Sequence, residues 1–342
     1  GGFSRANFLA EGGFGSVHRG VLPDGQAIAV KQHRLASSSQ GDVEFCSEVE
    51  VLSCIRHPNM VLLLGACPEY GCLVYEYMAN GSLDDCLFRR GGAQEPRAAP
   101  LSWARRYGIV ADVASGLHSV HHEYGRTVLH RDIKSTNILL DDRFRARITD
   151  LGMAKCLMND GVTSCSSSPA RMLGTFGYFA PEYAIVGKAS LKSDVFSFGV
   201  VVLELITGRQ PVHKRGGAGA SGAGTDESLV MWATSRLRDS RLVVAELPDP
   251  ALKGAFPPEE MQIMAHLARE CLQWDPEARP TMTEVVQILS TIAPLADKRR
   301  RHHLPAAAGA FAPGFHAERP RECSVWQDDD DYGHRRDHRH GG

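Results

Sequence analysis

The sequence has no apolar run long enough to cross a membrane. Its most apolar stretch, residues 195–206, is shorter than the ~20 residues that a membrane-spanning helix needs, and it contains Ser197 and Glu204. No secretory signal opens the chain. The first residues, Gly-Gly-Phe-Ser, lack an initiator methionine. One alternative is therefore membrane association through a separate segment outside this sequence.

Paired cysteines and excess charge are also missing. The nine cysteines include no Cys-x-x-Cys pair, which excludes the common zinc-site and disulfide patterns. We therefore expect reduced thiols and a cytoplasmic setting, at the inner face of the plasma membrane if an anchor exists. The formal net charge of -2 gives no general reason to expect nucleic-acid binding. With 342 residues, 43% of them hydrophobic, the chain has enough material for two domains or lobes.

Strand patterns dominate the first part of the chain and helical patterns dominate the rest. The predicted strands are residues 17–21, 27–30, 61–66 and 72–77, and the predicted helices are residues 43–55, 103–121, 192–207, 228–238, 258–272 and 281–292. The fold class is therefore α+β, with a small sheet-rich part over about 1–78 and a larger helical part over about 81–292. Residues 293–342 mix Arg, His, Pro and Ala with a run of aspartates, which predicts a disordered tail.

A glycine-rich turn lies near the start of the chain. Residues 9–17 are Leu-Ala-Glu-Gly-Gly-Phe-Gly-Ser-Val, which predicts a strand, a turn and a second strand. Gly12 and Gly15 have no Cβ atom, so the backbone there can approach phosphate groups closely. On its own the motif fits a plain β-hairpin equally well.

A lysine ends the apolar run Ile-Ala-Val-Lys. A buried ammonium group at this position, Lys31, needs a partner. Glu48 is the candidate, on the predicted helix but off the face formed by Phe45, Val49 and Leu52. An ion pair between them would hold Lys31 for contact with phosphate oxygens. The alternative is an exposed lysine on an edge strand.

The strongest signal is the sequence His-Arg-Asp-Ile-Lys-Ser-Thr-Asn at residues 130–137. Asp132 is a candidate acceptor for the proton of a substrate hydroxyl. Asn137 and Asp150 offer side-chain oxygens of the kind that Mg²⁺ prefers. The residues between them, 138–140 and Ile148, are apolar enough for two short strands that fix both ends.

With Ala-Pro-Glu at 180–182, these motifs in this order resemble the eukaryotic protein-kinase family. The resemblance covers residues 3–292. In detail the sequence is similar to the plant receptor-like kinases of the Pelle type, on the stretches Leu-Val-Tyr-Glu-Tyr-Met, Gly-Thr-Phe-Gly-Tyr, Ser-Asp-Val-Phe-Ser-Phe-Gly, Leu-Ile-Thr-Gly-Arg and Asp-Pro-Glu-Ala-Arg-Pro. It implies a bilobal fold, with a β-rich N-lobe and a helical C-lobe, and a serine/threonine kinase that uses ATP and Mg²⁺ on protein substrates.

The resemblance also implies roles for single residues. Asp132 is the base, Lys134 neutralises the γ-phosphate, and Lys31 pairs with Glu48 and with the α- and β-phosphates. The metal ligands are Asn137 and Asp150. The expected ATP contacts are Ala10, Glu11, Gly12, Gly13, Phe14, Gly15, Val17, Ala29, Lys31, Tyr75, Glu76, Met78 and Leu139.

Further expectations concern the activation loop, residues 150–182, and the larger lobe. A phosphate in that loop is expected to pair with Arg131, and the candidate phosphosites are Thr163, Ser164, Ser166, Ser167 and Ser168. The alternative is a flexible serine-rich loop without that role. Thr175 is expected near Asp132. Glu182 should pair with Arg279, and Asp194 should anchor the catalytic loop. Self-association for phosphorylation between two copies is a further expectation.

Two departures from the family pattern support a competing hypothesis. Ala10 replaces the usual first glycine, and Leu151 replaces the usual phenylalanine after Asp150. The alternative is a pseudokinase that binds ATP or acts as a scaffold, but all the catalytic residues are retained, which favours an enzyme. A second alternative, a nucleic-acid or membrane adaptor, rests on the basic cluster at 298–303 and is opposed by the aspartates at 328–331.

Overall fold

The computed structural model describes residues 2–12, 15–33, 39–88, 99–123, 125–157, 164–166, 174–213 and 227–292. The chain divides into two units, Gly1–Ala293 and Pro294–Gly342, and every described residue belongs to the first. The predicted tail and its basic cluster therefore lie outside the described residues. Within the described ranges, no helix is both long and apolar enough to span a bilayer.

An antiparallel sheet of five strands forms the first part of the chain, in the order β1-β2-β3-β5-β4. The strands are β1 (Phe8–Gly12), β2 (Gly15–Val21), β3 (Ala27–His33), β4 (Leu63–Cys67) and β5 (Cys72–Glu76). The turn between β2 and β3 contains Gly25 at φ 88°, and Asp24 Oδ1 accepts a hydrogen bond from the backbone of Gln26 at 2.9 Å. The predicted sheet-rich part is confirmed, and β3 is its central strand.

Helix α1 (Ser39–Cys54) packs beside this sheet, and two of its acidic residues, Glu44 and Glu48, are buried. Phe45, Leu52 and the adjoining Ile55 are buried, as predicted, whereas Val49 is half-buried. Glu48 is completely buried. The prediction that Glu48 lies off the apolar face is therefore wrong, because it is three residues after Phe45 and four before Leu52, on the same face of the helix.

The remainder of the described chain is mainly helical. Its helices are α2 (Leu83–Phe88), α3 (Trp103–His122), α4 (Pro181–Val186), α5 (Leu191–Thr207), α6 (Leu229–Thr234), α7 (Ser240–Ala245), α8 (Pro258–Cys271) and α9 (Met282–Ile292). Its short strands are β6 (Thr127–Leu129), β7 (Ile138–Leu140), β8 (Ala146–Ile148), β9 (Lys155–Leu157), β10 (Ser164–Ser166), β11 (Lys188–Ser190), β12 (Val212–His213) and β13 (Glu227–Ser228). They pair as β6 with β9, β7 with β8, β10 with β11, and β12 with β13. This is the bilobal arrangement that the sequence predicts.

Helix α5 runs through the centre of the helical part. It begins with a capping box between Ser190 and Ser193, and Gly208 ends it in the left-handed conformation at φ 62°. Its apolar residues are buried nearly all around the helix, which is why the sequence shows an apolar run rather than a stripe. Both α3 and α8 pack against it. The result is a rigid base beneath the loops described below.

The helix predicted over 228–238 is wrong in its second half. The α-helix ends at Thr234, and a separate 3₁₀ turn covers Arg236–Arg238. The Trp232 carbonyl, which would accept the N–H of residue 236 in a longer helix, accepts Arg236 Nη1 instead at 2.8 Å. In the last turn, Thr234 Oγ1 also donates back to the Val230 carbonyl at 2.7 Å.

The expected ion pair between Glu182 and Arg279 is present. Arg279 is 1% exposed, and its two terminal nitrogens donate to the two Glu182 oxygens at 2.7 Å each. Its Nε donates to the Gln273 carbonyl at 2.7 Å. This fork geometry, with the remaining donors also used, is what a buried guanidinium group requires. The pair ties α4 to the segment before α9.

A second buried carboxyl group, Glu204 on α5, has no cationic partner among the described residues. Its Oε1 accepts hydrogen bonds from Ser135 at 3.0 Å and Tyr178 at 2.8 Å, while Oε2 is buried without a hydrogen bond in the part of the chain described. Burial raises the pKa of Glu204 to about 8, although the two hydroxyl donors act in the opposite direction. The folded protein therefore holds this carboxyl group protonated at neutral pH.

This pKa gives a stability prediction with a definite sign. In the unfolded chain Glu204 ionises above its ordinary pKa of about 4.5, so the free-energy cost of keeping it protonated in the folded protein grows from that pH up to about 8. We expect Glu204→Gln, which cannot ionise, to gain at least about 1 kcal/mol of unfolding free energy over wild type between pH 4.5 and pH 8. Urea unfolding of both proteins across this range measures the difference. A difference that does not change with pH would contradict the assignment.

Candidate active site

Lys31 joins three parts of the chain. It lies on the central strand β3, and its Nζ is 2.8 Å from Glu48 Oε2 on α1 and 2.8 Å from Asp150 Oδ1 beyond β8. Only 12% of its side chain is exposed. The alternative of an exposed lysine on an edge strand is therefore wrong.

The charges around Lys31 fix its protonation. Burial alone lowers the pKa of Lys31, but the carboxylates of Glu48 and Asp150 outweigh burial and raise it above its ordinary value. Burial likewise raises the pKa of Glu48, but Lys31 and hydrogen-bond donors lower it to about 2. Lys31 is therefore a fixed cation, which suits a group that binds anions and not one that acts as a nucleophile.

The hairpin of β7 and β8 places the two candidate metal ligands at one end. Ile138 pairs with Ile148, so Asn137 just before β7 and Asp150 just after β8 lie at the same end of this hairpin. The backbone N–H of Thr149 donates to the Asn137 carbonyl at 3.0 Å. Asp150 itself has φ 65°, a left-handed conformation that is uncommon outside glycine.

Asp132 is held by three neighbouring side chains. Asn137 Nδ2 donates to Asp132 Oδ2 at 2.9 Å, and Thr175 Oγ1 donates to Asp132 Oδ1 at 2.9 Å. Lys134 Nζ lies 2.7 Å from Asp132 Oδ2 and donates to Thr175 Oγ1 at 2.7 Å. The expectation that Thr175 lies near Asp132 is confirmed. The carboxylate is thus fixed in orientation beside a lysine.

Asp194 at the start of α5 holds the loop that carries Asp132. Its carboxylate accepts the backbone N–H groups of His130 and Arg131 at 2.9 Å each, and the side chain of His121 at 3.0 Å. Burial opposes ionisation of Asp194, but these histidine interactions give a net lowering of its pKa. The expected anchoring of this loop is confirmed. It supports Arg131 in a left-handed conformation at φ 66°.

The fit to a divalent cation follows from the donor atoms. Asn137 uses its amide nitrogen for Asp132, which leaves the amide oxygen as a ligand atom, and Asp150 offers a carboxylate. No cluster of three or more His, Cys, Asp or Glu side chains able to hold a metal occurs in the described residues. Two oxygen ligands suit Mg²⁺, which takes its other ligands from water and phosphate.

The remaining candidate contacts lie on the sheet and the strand that leaves it. The register places Ala10, Val17 and Lys31 side by side across β1, β2 and β3, so these three side chains point to one face. Ala29 lies on the same face, because it is two residues before Lys31. A Cβ atom on Gly15 would lie 2.0 Å from the Gln32 carbonyl oxygen, so only glycine fits there.

Other predicted contact residues are placed as follows. Glu11 and Gly12 are exposed on β1, and Gly13 and Phe14 lie outside the described residues. Tyr75 on β5 is buried, and its hydroxyl donates to Glu48 Oε1 at 2.5 Å. The side chain of Glu76 is 2.6 Å from Arg147 and 2.8 Å from the backbone nitrogen of Leu62. Met78 is buried, and Leu139 on β7 is half-buried.

Sequence reasoning missed two contacts of Glu48, one with Tyr75, which it placed at the site for another reason, and one with His33, which it did not name. The Tyr75 hydroxyl bonds the carboxylate that also holds Lys31, and His33 lies close to the same group. His33 is two residues after Lys31 on the same strand, so the period of two along β3 was an available signal. The Tyr75 contact depends on how α1 packs on the sheet, which no local pattern shows.

Comparisons with known proteins support one family. The profile of the family described as protein tyrosine and serine/threonine kinase matches residues 3–289. Over 307 residues the chain is 52% identical to the receptor-like serine/threonine-protein kinase NCRK of Arabidopsis thaliana, covering 88% of this chain and 52% of that protein. It is 41% identical over 300 residues to the proline-rich receptor-like protein kinase PERK8 of the same plant, covering 86% and 42%.

A third relative carries a different specificity in its name. The PTI1-like tyrosine-protein kinase 3 of Arabidopsis thaliana is 40% identical over 293 residues, covering 85% of this chain and 69% of that protein. The chain spans about half the length of the two receptor-like relatives.

The contact between Lys31 and Glu48 can be tested by stability alone. We expect Lys31→Met and Glu48→Gln each to lower the unfolding free energy by about 2 kcal/mol or more, because each removes one member of a completely or nearly buried ion pair. The double variant should lose less than the sum by at least about 1 kcal/mol. Lys188→Met, at an exposed lysine, is the control and should change stability by less than about 0.5 kcal/mol. Additive losses would contradict the pair.

Proposed function

The chain belongs to the protein tyrosine and serine/threonine kinase family, and from this membership we propose that it transfers the γ-phosphoryl group of ATP to serine or threonine hydroxyls of proteins. The observation that carries the proposal is one connected set of contacts: Asp132 bonded to Asn137 and close to Lys134, and Lys31 bonded to Asp150. The name of the first relative and the position of Lys134 support serine and threonine over tyrosine.

The nucleotide takes the face of the sheet that carries Lys31. Lys31 holds the α- and β-phosphate oxygens, and Gly12 and Gly15 let the backbone lie over them. The adenine ring lies against Val17, Ala29 and Leu139, and the backbone of Glu76 and Met78 holds its edge. Tyr75 closes the back of this site beside Glu48. The other proposed contacts of the glycine-rich loop are Ala10, Glu11, Gly13 and Phe14.

Asn137 and Asp150 hold Mg²⁺ in this proposal, and the ion neutralises phosphate charge when bound. Asp132 accepts the proton of the substrate hydroxyl and orients its oxygen toward the phosphate. Its own orientation is fixed by Asn137 and Thr175. Lys134, next to Asp132, neutralises the γ-phosphate as it is transferred. The residues thus contribute position and charge and form no covalent bond to the substrate.

Regulation through the activation loop is part of the proposal. A phosphate on this loop would pair with Arg131, whose Nε also donates to the Met153 carbonyl at 2.6 Å. Of the candidate phosphosites, Ser164 and Ser166 lie in β10, and the register pairs Ser164 with Ser190 of β11. Thr163, Ser167 and Ser168 lie outside the described residues. Two copies of the chain would phosphorylate each other in trans.

We place the protein in the cytoplasm, at the inner face of the plasma membrane if a separate segment anchors it. The names of NCRK and PERK8 as receptor-like kinases support a signalling role with protein substrates. The eight cysteines of the described chain are free thiols, which fits a reducing compartment.

A pseudokinase that binds ATP without transfer is the second candidate. Its support is Ala10 and Leu151, but Leu151 is completely buried and fills an apolar position as a phenylalanine would. Thermal shift with Mg·ATP, followed by mass spectrometry of the protein and a test substrate, separates the two. We expect a raised melting temperature and added phosphate groups. Binding without transfer would favour the pseudokinase.

The role of Asp132 gives the sharpest activity prediction. We expect Asp132→Asn to reduce turnover at least about 100-fold, because the amide cannot accept the hydroxyl proton, while Mg·ATP still binds. Asp142→Asn, at an exposed aspartate in the turn between β7 and β8, is the control and should keep wild-type activity. Radiolabelled phosphate transfer measures both. Near-wild-type turnover of Asp132→Asn would reject the assignment.

A further inference from the structure

A buried histidine lies between β3 and α1, beside the ion pair of Lys31 and Glu48. His33 is 2% exposed and shares a face of β3 with Lys31. Its backbone N–H donates to the Gly71 carbonyl at 2.8 Å, and the register pairs it with Gly15. The position of the ring is therefore set by the sheet and not by a loop.

The imidazole ring contacts α1 at two points. Its edge meets the Phe45 ring at a centroid distance of 5.6 Å and an interplanar angle of 88°. Its Nε2 lies 3.6 Å from Glu48 Oε2, the oxygen that also accepts from Lys31. Phe45 and Glu48 are three residues apart, so they are neighbours on one face of the helix. Two contacts on one face restrict both the rotation of α1 and its distance from the sheet.

The chemistry of Glu48 explains why a third donor matters. This carboxylate is completely buried, and burial opposes its ionisation. Lys31 donates a hydrogen bond to Oε2, and the Tyr75 hydroxyl donates one to Oε1. Both ring nitrogens of His33 are buried and have no hydrogen bond among the described residues. The Glu48 carboxylate is 3.6 Å from Nε2, so it would accept a hydrogen bond from His33 if α1 came closer to the sheet.

We propose that His33 is a positioning residue: its ring packs on Phe45, and its Nε2–H, which lies 3.6 Å from Glu48 in this structure, bonds that carboxylate when α1 comes closer, so that Glu48 stays directed at Lys31. The inference rests on the proposed kinase function for its effect on turnover, but its effect on α1 does not. His33 is not among the proposed contacts of nucleotide or substrate. It acts through Glu48, which in turn orients the lysine that binds phosphate oxygens.

Two substitutions separate the hydrogen bond from packing. His33→Phe keeps an aromatic ring against Phe45 but has no donor, and His33→Gln loses the ring but places an amide N–H near the position of Nε2. We expect His33→Phe to lower kcat about tenfold with little change in the KM for the protein substrate. His33→Gln should recover to within about threefold of wild type, since the charge-assisted bond is the larger contribution.

Hydrogen exchange of residues 43–54 gives a readout that does not need catalysis. Exchange should be faster than in wild type for His33→Phe and close to wild type for His33→Gln. His18→Phe is the matched control. His18 is also a buried histidine of the sheet, and it packs edge-on against Phe3 and Phe8 on the face opposite to Lys31. It should change neither quantity. His33→Leu is the second donorless variant if His33→Phe does not fold.

The outcomes distinguish this inference from the proposed function. One outcome is that wild type transfers no phosphate while hydrogen exchange of α1 is faster in the variants that lack a donor at position 33 than in wild type and His33→Gln. In that case the kinase proposal fails and the role of His33 stands. If donorless variants match wild type in exchange and turnover, the role of His33 is overturned. Equal losses in His33→Phe and His33→Gln would likewise overturn the hydrogen bond.

Discussion

One buried cation determines how the parts of this site are arranged. The ammonium group of Lys31 bonds Glu48 and Asp150 at 2.8 Å each, so β3, α1 and the segment after β8 meet at one atom. A buried lysine is stable only with such partners, and a buried glutamate needs its cation in the same way. The position of α1 against the sheet and the position of Asp150 against both are therefore linked. A displacement of either acidic residue removes one of the two ion pairs of Lys31.

Backbone pairing in the β7–β8 hairpin positions Asn137 and Asp132 relative to Asp150. The β7–β8 hairpin brings Asn137 next to the chain at Thr149, and Asn137 then bonds Asp132. Beneath them, Asp194 on α5 holds the loop that carries Asp132. Because α5 is buried along its length, this support is rigid. Two regions distant in sequence are thus held in one geometry by a few hydrogen bonds on a packed base.

Much of this could be predicted because the signals are local. The periods of Phe45 and Leu52 and of the apolar residues 138–140 follow from the geometry of helix and strand. The motifs around Asp132 and Asp150 indicated their chemistry. The wrong predictions concern packing. Glu48 carries a charge, and its helical face was therefore predicted wrongly. It is buried because its partner Lys31 lies on the buried side of the sheet. The pairing of β10 with β11 joins segments distant in sequence, which no short window of sequence contains. The early end of α6 goes with the contact of Arg236 with the Trp232 carbonyl.

If the proposed function is right, Lys31, Asn137 and Asp150 converge on one nucleotide with its metal ion. A crystal structure with a non-hydrolysable ATP analogue and Mn²⁺ tests it most directly, because the anomalous signal locates the ion. We expect a manganese peak coordinated by side-chain oxygens of Asn137 and Asp150, with Lys31 Nζ within about 3.2 Å of a phosphate oxygen. A peak elsewhere, or a nucleotide whose phosphates do not contact Lys31, would contradict it.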